Sequence, residues 1–443
     1  MNDPRSSSAP AGRAETVFVI LTLLLYTGAI VFTLRAATAN ADIDPNTGDP
    51  VFQAIWLFVD TIVFLLLAKN WRTSIPAMRG TALVWALVAL AVASPLWSSA
   101  PQVTTRRSIA LVGTTLFGVY FAARFSLRRQ VSLLAWALGL GVISSFVFVF
   151  ALPSYGIEGG GDWKGAFLTK NVMARAMTLS LIVFLLCAWK GRSRKFVLGS
   201  LAVLAALLLL GAGSSTALVV LPLAIASLFS TRILKWPTGL SMPLLVMALA
   251  LSSAAAIWTS DNFAEALGAA GRDPTLTGRT QLWDDVIVQI EDKPWLGYGY
   301  GGFWLGWDGP SAKIWEETTW QPPHAHNGLL DLWLDLGAVG VVLFIAGFAT
   351  VFFRALKLAQ RAKEKAELLP IAFLVFMFLY NLSESTILRQ NSIFWVLYVA
   401  VATAVLSRTP LIAQSPKDEE VLIPTNVRWA LDAKGAQRKV RLS

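Results

Sequence analysis

Phe196-Val-Leu-Gly-Ser-Leu-Ala-Val-Leu-Ala-Ala-Leu-Leu-Leu-Leu-Gly211 runs, after only Ala-Gly-Ser, into Ser215-Thr-Ala-Leu-Val-Val-Leu-Pro-Leu-Ala-Ile-Ala-Ser-Leu-Phe-Ser230. From Phe196 to Ser230 there is no charged side chain. About 20 residues of helix already cross a bilayer core, so this run is too long for one crossing. The small and polar residues Gly211-Ala-Gly-Ser-Ser-Thr216 supply the break, and a membrane hairpin is the economical reading.

The same pattern extends along the chain. Its 443 residues are 55% hydrophobic and 14% charged, against roughly 25% charged in soluble domains, and the mean hydropathy is +0.59. These values exclude a soluble enzyme on one anchor, and they exclude disorder. Apolar periodicity predicts twelve spans: 17–34, 51–68, 81–97, 108–125, 131–152, 171–189, 196–212, 215–230, 240–258, 327–353, 367–386 and 391–407. The last two are separated only by the polar stretch Glu384 to Asn391. The expected fold is an all-α polytopic integral membrane protein, with about 12 transmembrane helices and one large extracytoplasmic loop between helices 9 and 10.

Charge orients these spans. Of the 37 Lys and Arg, 26 fall on the side that holds both termini and 11 on the other. The positive-inside rule then makes both termini cytoplasmic. The layout is a bundle of nine helices over 1–258, a periplasmic loop over 259–323, three further helices over 324–408, and a cytoplasmic tail over 409–443. Arg5 and Arg13 precede an apolar stretch that ends in Ala37-Thr-Ala-Asn-Ala41, a signal-like pattern. At about 18 residues that stretch exceeds the usual 7–15 and reads as an uncleaved helix. The net charge of +10 comes with no nucleic-acid recognition module, so basic loops facing the cytoplasm account for it.

The long loop carries the polar chemistry. Asn262 and Glu265 have capping-box spacing. From Thr280 to Asp292 the pattern is an amphipathic helix, with Leu282, Val286 and Ile290 sharing a face with Trp283 and Ile287. It either lies on the bilayer surface or caps the bundle. Arg279 stands at its start, where backbone N–H groups favour an anion. Trp295-Leu-Gly-Tyr-Gly-Tyr-Gly-Gly-Phe-Trp304 is glycine-rich without dinucleotide-fingerprint spacing. Six of the 18 tryptophans lie in this loop. Tryptophan collects at membrane interfaces, and its flat face also packs on the apolar face of a sugar ring.

Both histidines of the chain lie in Pro322-Pro-His-Ala-His-Asn-Gly-Leu-Leu-Asp-Leu-Trp-Leu-Asp-Leu-Gly337. No third histidine exists and Cys187 lies in an apolar run, so no metal site is expected. His326, at the mouth of a span, is suited to accept a proton near neutral pH. Asp331 and Asp335 share the helical face of Asn327 and do not stack over His326, so neither is assigned as its orienting partner. Charges at or inside the outer span ends are Arg106, Arg107, Lys164, Lys170, Arg175, Glu384 and Arg389, with Asp60 midway along the second span. Charge is costly in a bilayer, and such residues line polar cavities or pair within the bundle. The basic ones, with Arg279, suit a strongly anionic group such as a lipid diphosphate.

Leu276-Thr-Gly-Arg-Thr-Gln-Leu-Trp283, Pro294-Trp-Leu-Gly-Tyr-Gly299, His326-Asn-Gly-Leu-Leu330 leading to Leu336-Gly-Ala-Val-Gly340, and Glu384-Ser-Thr-Ile-Leu-Arg-Gln-Asn391 together resemble the O-antigen ligase and Wzy-type polysaccharide polymerase superfamily, in its exopolysaccharide-production branch. The resemblance runs from about Arg107 to Ser407. It implies a membrane glycosyltransferase of the bacterial inner membrane that faces the periplasm and needs neither cofactor nor metal. Its donor would be an undecaprenyl-diphosphate-linked oligosaccharide and its acceptor a glycan, with export or chain-length proteins as further partners. By the same resemblance His326 is the base and Arg279 binds the diphosphate. Arg107, Lys170, Arg175, Trp283, Glu384 and Arg389 are the expected substrate-binding residues. One departure stands out: in Trp163-Lys-Gly-Ala-Phe-Leu-Thr-Lys-Asn171, Thr169 occupies a position where the family has histidine. Alternatives to a polymerase are a ligase acting on lipid A-core, a transporter or flippase, and a non-catalytic export scaffold.

Overall fold

The computed structural model describes residues 11–29, 49–187, 192–233, 277–318 and 320–407. Among these the chain is helical, with a single isolated bridge between Ile157 and Trp163 and no strand. The expected span 240–258 and the capping pair Asn262 and Glu265 lie outside the described residues, as do parts of the first and sixth spans.

The first half of the chain forms α1 (Arg13–Thr27), α2 (Pro50–Lys69), α3 (Trp71–Arg79), α4 (Ala82–Ala93), α5 (Pro101–Arg124), α6 (Leu127–Ala151), α7 (Lys170–Leu186), α8 (Arg192–Gly211) and α9 (Ser215–Ile233). Local chemistry sets several starts. Asp49 accepts from Val51 N–H at 2.8 Å with Pro50 in the first turn, and Ser126 and Thr169 cap α6 and α7. Thr169, at the departure from the family pattern, therefore serves here as a helix cap. The 196–230 stretch breaks into two helices, α8 and α9, at Ala212–Ser214 as expected, but they do not pair along their length: α8 packs on α6 and α7, and α9 packs on Leu369–Tyr380.

Among the described residues, four helices are long and apolar enough to cross a membrane: α2, α6, α8 and Gly328–Gln360. A fifth is possible if α3 and the helix continuing to Leu96, bent by 88°, form one broken span. Several expected spans are shorter than predicted, because polar residues at their ends turn into loops. Residues 367–386, for example, hold a helix only over Leu369–Tyr380. Lipid is the solvent that explains the surface of α2, where Leu57, Phe58, Phe64 and Leu65 are exposed side by side in a way water would penalise.

The loop following Thr277 folds as its own small layer. There, α10 (Thr277–Asp292) and the short α11 (Ala312–Glu317) bury Leu282, Val286, Ile290 and Ile314 with Tyr298, Phe303, Ala325 and Leu334. The helix thus spends Leu282, Val286 and Ile290 on protein, while Ile287, expected on the same face, is exposed. The remaining helices are α12 (Gly328–Gln360), α13 (Leu369–Tyr380) and α14 (Ile393–Leu406). Trp395 of α14 is fully buried and donates its indole N–H to Thr115 of α5 at 2.9 Å.

α12 is broken at Gly337, whose φ of 63° and ψ of −168° leave the helical region. The segment after α10 fills the break. Pro294 O accepts from Ala338 N–H at 2.8 Å, and Tyr298 N–H donates to Leu334 O at 2.7 Å. Trp333 adds an indole N–H to Pro294 O at 2.9 Å. Backbone groups freed by a break need such partners wherever water is scarce. The expected tenth span, 327–353, is therefore two helical pieces, and the first of them belongs to the loop layer.

Candidate active site

The turn Pro323–Asn327 leads into α12, and Asn327 caps it by accepting from Leu329 N–H at 3.0 Å and Leu330 N–H at 3.3 Å. Immediately before the cap, His326 holds φ at 50°, an uncommon conformation for a residue with a Cβ. Leu388 and Asn391, in the loop after α13, also have positive φ. Strained backbone clusters where function over-determines it. The two loops meet because Gly328 has no side chain. Its N–H donates to Asn381 O at 2.9 Å, and a Cβ there would lie 2.2 Å from Asn381 Oδ1. Asn381 in turn holds the loop closed, bonding Thr386 through both ends of its amide at 2.7 Å.

That closure brings Glu384 beside both histidines. Its Oε1 lies 3.6 Å from His326 Nδ1 and its Oε2 lies 3.9 Å from His324 Nε2. Arg279, in the first turn of α10, places a guanidinium nitrogen 3.7 Å from Oε1. Asn171, at the start of α7, donates to the same oxygen at 3.1 Å, and its carbonyl accepts from Tyr380 OH at 3.2 Å. Burial alone would raise the Glu384 pKa. The facing His326, His324 and Arg279 outweigh it and hold the carboxyl below its ordinary value. Glu384 is therefore the anionic hub of a cationic pocket.

The histidines differ in what they can do. His324 Nδ1 accepts the backbone N–H of His326 at 3.1 Å, so in the neutral ring the proton sits on Nε2. Burial, reinforced by His326, drives the His324 pKa well below its ordinary value. Both ring nitrogens of His326 are buried without a hydrogen-bond partner among the described residues. A buried polar group left open in this way is ready for a substrate proton. The 3.6 Å to Glu384 is longer than a formed hydrogen bond, a common state of catalytic contacts before substrate tightens them.

His324, His326 and Glu384 present ligand atoms within 4.8 Å of one another, the spacing of a metal site. Two features oppose a cation there. In the neutral ring Nδ1 of His324 is engaged and Nε2 carries the proton, and Arg279 already places positive charge against the carboxylate.

A second cluster adjoins the first. Arg389 pairs with Asp331 at 3.2 Å, and Asp331 Oδ1 accepts from Trp304 Nε1 at 2.7 Å and from Ala325 N–H at 3.0 Å. Trp283 donates to Ala325 O at 2.9 Å. Ala325, just before His326, is thus held at both its N–H and its C=O. Arg107 donates to Gly301 O, on the Tyr300 side of this cluster, and Tyr300 OH donates to Leu388 O at 2.6 Å.

Of the residues singled out in the sequence, His326 and Arg279 each face Glu384, while Arg389 and Trp283 engage Asp331 and Ala325 and Arg107 engages Gly301. Arg175 lies one turn beyond Asn171 on α7, its guanidinium 5.6 Å over the Phe394 ring. Lys170 is turned into another contact, with Asp162 at 2.5 Å. The sequence reading missed Asn171 as a partner of Glu384. It also missed Glu384 as the partner of the histidines. The polar run Glu384 to Asn391 signalled importance, but nothing local pointed to residues 58 positions away.

A family profile described as O-antigen ligase matches residues 200–345, which include Arg279 and His326. The exopolysaccharide production protein ExoQ of Rhizobium meliloti is 25% identical over 289 residues, covering 62% of this chain and 65% of that protein. A protein named as a polysaccharide ligase in Rickettsia conorii is 35% identical over 75 residues, 16% of this chain and 18% of that one. The chain thus spans just under two thirds of the first relative and under a fifth of the second.

Proposed function

We propose that this chain belongs to the O-antigen ligase superfamily, in its exopolysaccharide-production branch, and is a polysaccharide polymerase working at the outer face of the bacterial inner membrane. The donor is an oligosaccharide on undecaprenyl diphosphate and the acceptor is a glycan hydroxyl. One observation carries the reading: His326 has both ring nitrogens buried and open, with a carboxylate on one side of it and Arg279 in the same pocket.

In the reaction, the acceptor oxygen attacks the anomeric carbon while His326 Nε2 takes its proton. The bond from that carbon to the phosphate oxygen breaks, and its electron pair leaves with the diphosphate. Glu384 faces Nδ1 and stabilises the charge that His326 acquires. Arg279 and Arg175 offer guanidinium forks to the departing anion, where scarce water strengthens the interaction. Lys170, which is engaged with Asp162, would have to exchange that partner to take part. Proton transfer and charge stabilisation are both supplied by side chains of the pocket, so the step has no need of a metal.

The test is the glycan profile of a deletion strain. Loss of polymer with accumulation of single lipid-linked repeats supports the polymerase. Free polymer beside uncapped lipid A-core overturns it in favour of a ligase, and unchanged glycans overturn both.

A further inference from the structure

Resting on that reading, the geometry points to Trp320 as the floor of the acceptor subsite, the surface on which the attacking saccharide lies. The tryptophans of the loop layer are not equivalent. Trp283, Trp304 and Trp315 spend their indole N–H groups on Ala325 O, Asp331 and Pro322 O, at 2.9, 2.7 and 3.0 Å, and so brace the layer from within. Trp307 sets its ring edge against Trp315 at 5.4 Å. Trp295 occupies the break of α12, its carbonyl within 2.2 Å of where a Gly337 Cβ would stand. None of these five stacks on either histidine.

Trp320 does. Its ring centre lies 5.6 Å from that of His326, tilted by 48°, and 38% of the residue is exposed. Its indole N–H has no hydrogen-bond partner among the described residues. The backbone around it is fastened on both sides: Thr318 Oγ1 donates to Trp320 O at 2.7 Å, and Trp315 holds Pro322 O. A large aromatic face held in place, half open, beside the buried nitrogens of His326 is an unusual use of apolar surface.

Its chemistry identifies the ligand class. The base must lie within hydrogen-bond reach of the hydroxyl it deprotonates, so the sugar bearing that hydroxyl must rest against whatever flanks His326. A pyranose has one face rich in C–H groups, which packs on an indole, while the free N–H meets a ring hydroxyl. The diphosphate end of the donor is drawn instead to the guanidinium groups, which leaves the Trp320 side to the acceptor.

The experiment uses the purified full-length protein in detergent. Its probe is the oligosaccharide repeat released from the native polymer, which carries no diphosphate. Saturation-transfer NMR should show protons of one sugar face receiving magnetisation from the wild type. Trp320→Ala should weaken that binding and raise the acceptor KM by roughly tenfold, with donor KM, kcat and the pH profile little changed. Trp320→Phe, which keeps a flat ring, should recover most of the loss and controls for folding. Undiminished binding by Trp320→Ala overturns the inference, and so does an equal loss for donor and acceptor or a failure of Phe to rescue. Failure of the parent reading looks different: Trp320-dependent binding of the oligosaccharide by a wild type that transfers nothing.

Discussion

His326 Nδ1 faces Glu384 Oε1 at 3.6 Å, across 58 residues of sequence and from a different loop. The pairing leaves Nε2 as the nitrogen available to substrate and gives the imidazolium formed during turnover a counter-charge. Asn171 and Arg279 converge on the same oxygen, so the carboxylate positions more than one functional group.

Glu384→Gln keeps the shape and removes the charge. Turnover should fall, by no more than the roughly 10²–10⁴ that a positioned base supplies, with donor binding less affected. The Glu384 pKa is depressed in the fold. Its stabilising contribution is therefore fully present above the unfolded value of 4.5 and is lost as pH falls through the lower folded value. Wild-type activity should accordingly show no acidic limb from Glu384 between pH 5 and 8. A purified Glu384→Gln protein as active as wild type would remove the residue from the mechanism.

Arg279 and His326 should separate donor binding from chemistry. Arg279→Lys keeps the charge and loses the fork, so use of the diphosphate donor should weaken, at a typical cost of about 10²–10³ for one preorganised donor. His326→Ala should leave donor binding intact and slow turnover by roughly 10²–10⁴, with partial recovery at higher pH, where the acceptor hydroxyl needs less help. Donor titration and a pH–rate profile on both variants measure this. Wild-type turnover in His326→Ala would place the base elsewhere.

Excess EDTA should leave transfer from a lipid-diphosphate donor unchanged. His324, His326 and Glu384 have metal-like spacing, which makes the assay decisive. Loss of activity that added Mn²⁺, Mg²⁺ or Zn²⁺ restores would turn the same three residues into a metal centre and abolish the base assignment.

Gly337→Ala should destabilise the loop layer. The backbone there lies in a region that residues with a Cβ avoid, at a cost of about 1–3 kcal/mol, and the added methyl would meet Trp295 backbone atoms 2.1–2.2 Å away. Thermal unfolding in detergent should start at a lower temperature. Limited proteolysis should cut first between α10 and α11, while the membrane helices persist. An unshifted melt would mean that the break relaxes at no cost.

Membrane residence was legible in the sequence, because whether a helix tolerates lipid depends on its own composition. The helix break at Ala212–Ser214, the amphipathic helix ending at Asp292 and the start of α12 at Asn327 were likewise readable from local chemistry. His326 and Arg279 stood out as rare polar residues in an apolar chain. Only the tertiary structure decided what they face. Gly328 lets the loop after α13 approach, which ends that helix at Tyr380 and turns Glu384 toward the histidines. Gly337 breaks α12 because Pro294 and Trp295 supply partners for its freed N–H groups. Composition acts on each segment alone. An ion pair or a filled helix break depends on which segments become neighbours, and close packing across the whole bundle determines that.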